Sequence, residues 1–191
     1  MDALGINGSP RIGGNSDILL DKALEGCRDK GAHTEKIILN TLKFSPCQEC
    51  ENHKSDGTCI LEDDMQAVYQ KVQDADVIIL ASPIFFGSLS AQTKMMIDRF
   101  QCLWIAKFRE YVIKKDIFRT KRKGAFISVE ASQKREFFDN AKSIVKNLFA
   151  TISVDYQAEL FISGIDEKGS ILEHVDDLKK AFVLGQRIAS C

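Results

Sequence analysis

An unbroken apolar run, Val77-Ile78-Ile79-Leu80-Ala81, leads straight into Ser82-Pro83-Ile84-Phe85-Phe86-Gly87-Ser88-Leu89-Ser90-Ala91-Gln92. A strand that is apolar at every position suits a parallel sheet covered on both faces. Pro83 predicts the end of that strand, because it cannot donate to a ladder. Beyond it come two adjacent aromatics, a glycine and small polar residues, and then a helical pattern from about Ser90 to Ala106. At the carboxyl end of a sheet such a loop suits a flat apolar ring. Planar side chains can lie beside the ring, and backbone amides can meet its polar edge.

The rest of the chain repeats the same unit. Strand patterns at Ala3 to Asn7, Thr34 to Leu39, Gly124 to Val129 and Tyr156 to Ile162 join the central one, the last alternating enough for an edge. Helical patterns run from about Ser16 to Lys30, Asp63 to Asp74, Arg135 to Phe149 and Leu172 to Ala189. Five strands, each followed by a helix, predict a single α/β domain over 1–191, with a doubly wound parallel sheet. Right-handed crossovers favour the flavodoxin-like order 2-1-3-4-5. Its switch point brings the loops after the first and third strands to one crevice.

The loop after the first strand is Gly8-Ser9-Pro10-Arg11-Ile12-Gly13-Gly14-Asn15-Ser16. Strand, glycine-rich loop and helix make a phosphate cradle, with amides turned inward and the positive helix end behind them. Ser9, Asn15 and Ser16 can donate hydrogen bonds and Arg11 can pair with a phosphate. The loop lacks both the Gly-Lys-Ser/Thr ending of a Walker loop and the dinucleotide fingerprint; a turn with a helix cap is the plainer alternative. A phosphate loop and a ring loop over one crevice describe a mononucleotide with an aromatic headgroup, and FMN is the economical choice.

Cysteine spacing adds a second feature. Cys47-x-x-Cys50-x-x-His53-x5-Cys59 gathers soft and borderline ligands tightly enough to wrap a small tetrahedral centre. An iron–sulfur cluster, a zinc ion and a reduced empty loop all fit that spacing. Cys102 and Trp104, late in the helix after the central loop, read as packing residues. From Lys107 to Lys123 eight basic residues against two acidic ones alternate with aromatics and aliphatics; they read as a solvated connection, or as a patch for an anionic partner.

Charge and hydropathy exclude several classes. A net charge of -1 argues against nucleic-acid binding, which needs a basic excess. No apolar run approaches the roughly 20 residues of a membrane span. A basic segment followed by an apolar one is missing at the N-terminus, so a cytoplasmic location is expected, with its six cysteines reduced.

The motifs Gly8-Ser9-Pro10-Arg11 with Asn15-Ser16, and Ser82 to Gln92 leading to Lys94 and Ile97-Asp98-Arg99, resemble the NADPH-dependent FMN reductases. The cysteine loop, with Glu62-Asp63-Asp64-Met65 after it, is similar to the iron–sulfur flavoprotein branch. The resemblance covers residues 3 to about 150. It implies that Ser9, Arg11, Asn15 and Ser16 hold the FMN phosphate, and that Pro83, Ile84, Phe85, Phe86 and Gly87 line the isoalloxazine. The loop after Val129, with Glu130 and Ala131, would close the other side. NAD(P)H is then the co-substrate, and a quinone, a nitro or azo compound, an oxygen species or a protein the acceptor, with a homodimer or homotetramer as the assembly. In the family's cluster loop a cysteine stands where this chain has His53, and a tyrosine is common where it has Phe85. The competing function is a non-catalytic metal- or redox-sensing protein built on the Cys47–Cys59 loop.

Overall fold

In the computed structural model, residues 1–50, 57–109 and 121–190 are described. His53 and most of the basic stretch therefore lie outside the described residues. The core is a parallel sheet of β1 (Asp2–Asn7), β2 (His33–Ile38), β3 (Val77–Phe85), β5 (Arg122–Glu130) and β6 (Val154–Ser163), in the order β2-β1-β3-β5-β6. This is the flavodoxin-like order expected from sequence. One two-residue strand, β4 (Ser88–Leu89), was not expected; it folds back antiparallel on Ile84 and Phe85.

Alternation along β3 explains why the run has no polar member. Ile78 and Leu80 face one layer, with α2 (Met65–Asp74), α3 (Ala91–Asp98) and α5 (Arg135–Thr151). Val77, Ile79 and Ala81 face the other, with α1 (Asn15–Asp29) and α6 (Val175–Ala189). All five are at most 1% exposed, as expected of a strand buried on both faces.

Two boundaries differ from the sequence expectation, each for a physical reason. Pro83 does not end β3, which continues to Phe85 with Pro83 opposite Val129. Pairing with β1 stops at Ala81, so the missing N–H falls beyond that ladder and breaks no bond in it. The helix expected from Ser90 to Ala106 is divided into α3 and a short α4 (Gln101–Trp104) followed by a π-helical turn to Arg109. At the break the Arg99 carbonyl accepts from the Tyr69 hydroxyl at 2.8 Å, while the Tyr69 and Phe100 rings meet edge to face at 5.1 Å. Both contacts bend the chain over α2.

Candidate functional site

Every strand of the parallel sheet delivers its loop to one edge, and the loops after β1, β3, β5 and β6 build a cleft. The first is closed by its own side chains. Asn7 Oδ1 accepts from the Ser9 amide, Ser9 Oγ accepts from the Arg11 amide, and the Gly14 amide donates to the Arg11 carbonyl. Gly14 turns the chain into α1. A Cβ there would lie 2.8 Å from the Arg11 carbonyl oxygen, so the loop closes too tightly for any side chain at that position. Asp17, in the first turn, accepts from the Gly13 amide at 2.8 Å and pairs with Lys36 at 3.0 Å.

The central loop is bound to the first. The Gly8 amide donates to the Ala81 carbonyl at 2.8 Å, and Ser90 Oγ donates to the Gly8 carbonyl at 2.5 Å. Ser90 also caps α3 and contacts Thr93 Oγ1 at 2.9 Å, with Ser82 behind it. Ser82, Ser90 and Thr93 are fully buried, so two distant stretches of chain share one polar knot.

The cleft has a volume of about 290 Å³. Ser9, Arg11, Asn15 and Ser16 line one end, Pro83, Ile84, Phe85 and Phe86 one wall, and Val129, Glu130 and Ala131 the opposite side. Gly87 lies off the lining; its carbonyl accepts from Asn140 Nδ2 at 3.3 Å. Glu130 is 3% exposed; its Oε2 accepts from Ser132 Oγ, and its Oε1 is buried without a hydrogen-bond partner among the described residues.

Ile165, Asp166 and Lys168 complete the lining, and the residue reading missed them. They belong to the loop after β6. Asn15 is spent on holding that loop: its Oδ1 accepts from the Gly169 and Ile171 amides, and its Nδ2 donates to the Glu167 carbonyl at 2.8 Å. Arg11 Nη1 reaches the Asp166 carbonyl at 3.3 Å. The signal was available in the topology, since any loop leaving a strand at that sheet edge is a candidate wall.

A second, much smaller pocket of about 30 Å³ gathers Cys47, Cys50 and Cys59 with Arg99 and Cys102. Cys102 therefore shares the thiol pocket, although its sequence context reads as plain packing. Burial, with the charges of nearby Cys59 and Cys47 added, pushes its thiol up to about 11, so it is neutral at physiological pH. Arg99 Nη2 lies 3.4 Å from Cys59 Sγ. Among the described residues no three His, Cys, Asp or Glu side chains are placed to hold a metal ion. The thiols thus supply the chemistry of a soft-metal or cluster site but not its convergence.

A doubly wound parallel sheet in this order, with a glycine-rich loop and an aromatic loop over one cleft at its switch point, defines the flavodoxin-like class of folds. Solved structures share that fold. A NAD(P)H:quinone oxidoreductase from Methanothermobacter marburgensis superposes with a TM-score of 0.75, over 100% of this chain and 97% of that one, at 15% identity. A flavodoxin from the domain Archaea gives 0.56 over 99% of this chain and 96% of that one, at 14% identity. Within that class the model of the NADPH-dependent FMN reductase family matches residues 1–153, and the chain belongs to that family. An iron–sulfur flavoprotein of Methanocaldococcus jannaschii is 42% identical over 99 residues, 52% of this chain and 51% of that protein. Another, from Methanosarcina thermophila, is 35% identical over 99 residues, 52% of each. The chain spans about half the length of these curated relatives.

Proposed function

We propose that this chain holds FMN in the cleft and passes electrons from NAD(P)H, or from a protein donor, to an acceptor. That acceptor is a quinone, a nitro or azo compound, an oxygen species or a protein. One observation carries the reading: Arg11 and Phe86, 75 residues apart in sequence, line one cavity. Ser9, Arg11 and Ser16 would hold the phosphate against the N-terminus of α1, where free amides and the helix dipole favour an anion. Asn15 fixes the wall formed by the loop after β6. Pro83, Ile84 and Phe85 would flank the ring on one side, with Glu130 and Ala131 on the other. The buried, unpartnered Glu130 Oε1 fits a ligand that brings a hydrogen-bond donor. FMN held by these residues would supply hydride acceptance from a nicotinamide and one- or two-electron transfer to the acceptor, and the side chains would orient it and exclude water. Among the described residues no three ligand side chains are placed to hold a metal ion, and no electron path is assigned to the thiols. A cytoplasmic homodimer or homotetramer completes the proposal; sedimentation of the flavin-loaded protein measures the assembly.

Titration with two flavins tests the site. Arg11→Ala should weaken FMN about tenfold to a hundredfold, the range of a charge-assisted hydrogen bond, and leave riboflavin within about threefold. Flavin fluorescence on binding gives both constants. A native protein that binds riboflavin as tightly as FMN would show that the Arg11 end of the cleft takes no phosphate.

A further inference from the structure

Phe86 breaks the rules of the turn it occupies. Phe85 pairs with Ser88, so Phe86 and Gly87 form a two-residue hairpin loop. Their φ values are 50° and 74°, the pair of left-handed residues that a type I′ turn requires. Such turns prefer Asn-Gly or Asp-Gly, because a short polar side chain tolerates the left-handed region and a bulky one is strained there. A phenylalanine at the first position is therefore a cost to folding. Among the described residues nothing offsets it. The side chain is 109% exposed relative to an extended reference, and it has no ring or cation partner among the described residues. Exposed aromatics are common enough singly, but this one stands on the lip of the ligand cleft with Phe85, 42% exposed, beside it. Strain held at a position of this kind points to a ligand.

We infer that Phe86 is the platform for a second planar ring: the conjugated ring of the small molecule that exchanges electrons with the cofactor. The inference rests on the proposal that the cleft holds FMN. Its substrate class is flat and conjugated, which includes a nicotinamide as donor and a quinone or nitroaromatic as acceptor. A ring seated against Phe86 would close the mouth of the cleft, removing from water both itself and the exposed benzyl group. A flexible aliphatic acceptor would gain little from such a surface.

Phe86→Asn separates the two demands on this residue, because Asn-Gly is the pair the turn prefers. The variant should melt at the native temperature or a few degrees above it, since it loses strain and no buried contact. The KM for one planar substrate should rise about tenfold, the size of one lost ring–ring contact, with kcat within about twofold. FMN affinity is measured beside it, because Phe86 lines the cleft: a loss as steep as the rise in KM would seat the flavin rather than the substrate against Phe86 and overturn the inference. Phe86→Trp should restore a low KM. Measuring donor and acceptor KM separately shows which of the two rings sits there. Unchanged KM for both substrates overturns the inference, as does a Phe86→Asn variant whose only change is its oligomeric state. A native protein that takes up no FMN overturns the parent proposal and this one together. Native uptake of FMN with an indifferent Phe86→Asn variant overturns this one alone.

Discussion

Replacing Arg99 with methionine is expected to lower the melting temperature by about 10 °C. The Arg99 side chain has no exposed surface, yet it is charged. Nη1 and Nη2 grip both oxygens of Asp63, at 2.6 and 3.1 Å. Nη1 also donates to the Ser45 carbonyl at 2.9 Å, and Nη2 lies 3.5 Å from the Leu61 carbonyl. One guanidinium thus ties the two ends of the cysteine loop to the end of α3. Removing one partner of a buried pair costs about 3–5 kcal/mol. Asp63 keeps the Ser45 and Met65 amides, so the lower end applies. At about 2–4 °C per kcal/mol for a chain of this size, that gives the stated shift.

Acid sensitivity provides a second readout. Burial pushes the Asp63 carboxyl up, but the Arg99 hydrogen bonds, the two amides and the Arg99 charge outweigh it and hold it below its ordinary value. A carboxyl depressed in the folded state contributes stability above its unfolded pKa of about 4 and loses it as pH falls through the folded value. The gap between native protein and Arg99→Met should therefore be full at neutral pH and narrow below about pH 4. Thiol alkylation followed by mass spectrometry reports the loop itself: Cys59 should label faster in the variant. Equal labelling of both proteins would mean that the loop is held by something other than Arg99.

Arg99 also marks the limit of what the residues disclosed beforehand. The apolar run at Val77 to Ala81, the loop chemistry and the even spacing of strand and helix signals are local, and local signals were enough for the sheet, its order and the two main walls of the cleft. The bend at Phe100 and the pairing of Arg99 with Asp63 depend on contacts 30 or more residues away in sequence. In a helical pattern an arginine reads as a solvated residue. Its partners, Ser45, Leu61 and Asp63, all lie in the segment before α2 and turn it inward. Lys168 and Asp166 were hidden for the same reason: their loop has no motif, and it becomes a wall of the cleft because Asn15 reaches across to hold it. Cys102 looked inert by its neighbours in sequence, whereas its neighbours in space are thiols.

Gly8→Ala is expected to cost about 2–3 kcal/mol and at least tenfold in FMN affinity, through contact alone. Gly8 is not among the glycines with positive φ, so alanine meets no backbone penalty there. Its Cβ would lie 1.8 Å from Thr93 Oγ1 and 3.3 Å from the Ala81 carbonyl oxygen. Thr93 has little freedom to retreat. The proton of Ser90 Oγ is committed to the Gly8 carbonyl, which makes Thr93 the donor in the Thr93–Ser90 contact. Rotating Thr93 away would break that buried bond; holding it in place would drive β1 from β3 and part the phosphate end of the cleft from its aromatic wall. Thr93→Ala removes the clashing oxygen at a cost of about 1–2 kcal/mol for the lost hydrogen bond. In that background Gly8→Ala should add less than about 1 kcal/mol and restore most of the lost FMN affinity. The two substitutions are therefore non-additive, as expected of neighbours competing for one space. Denaturant melts of the four proteins, with a flavin titration of each, complete the cycle. Additive costs would mean that the junction yields elsewhere, and that the two loops are not held in register by the Gly8–Ser90–Thr93 contact.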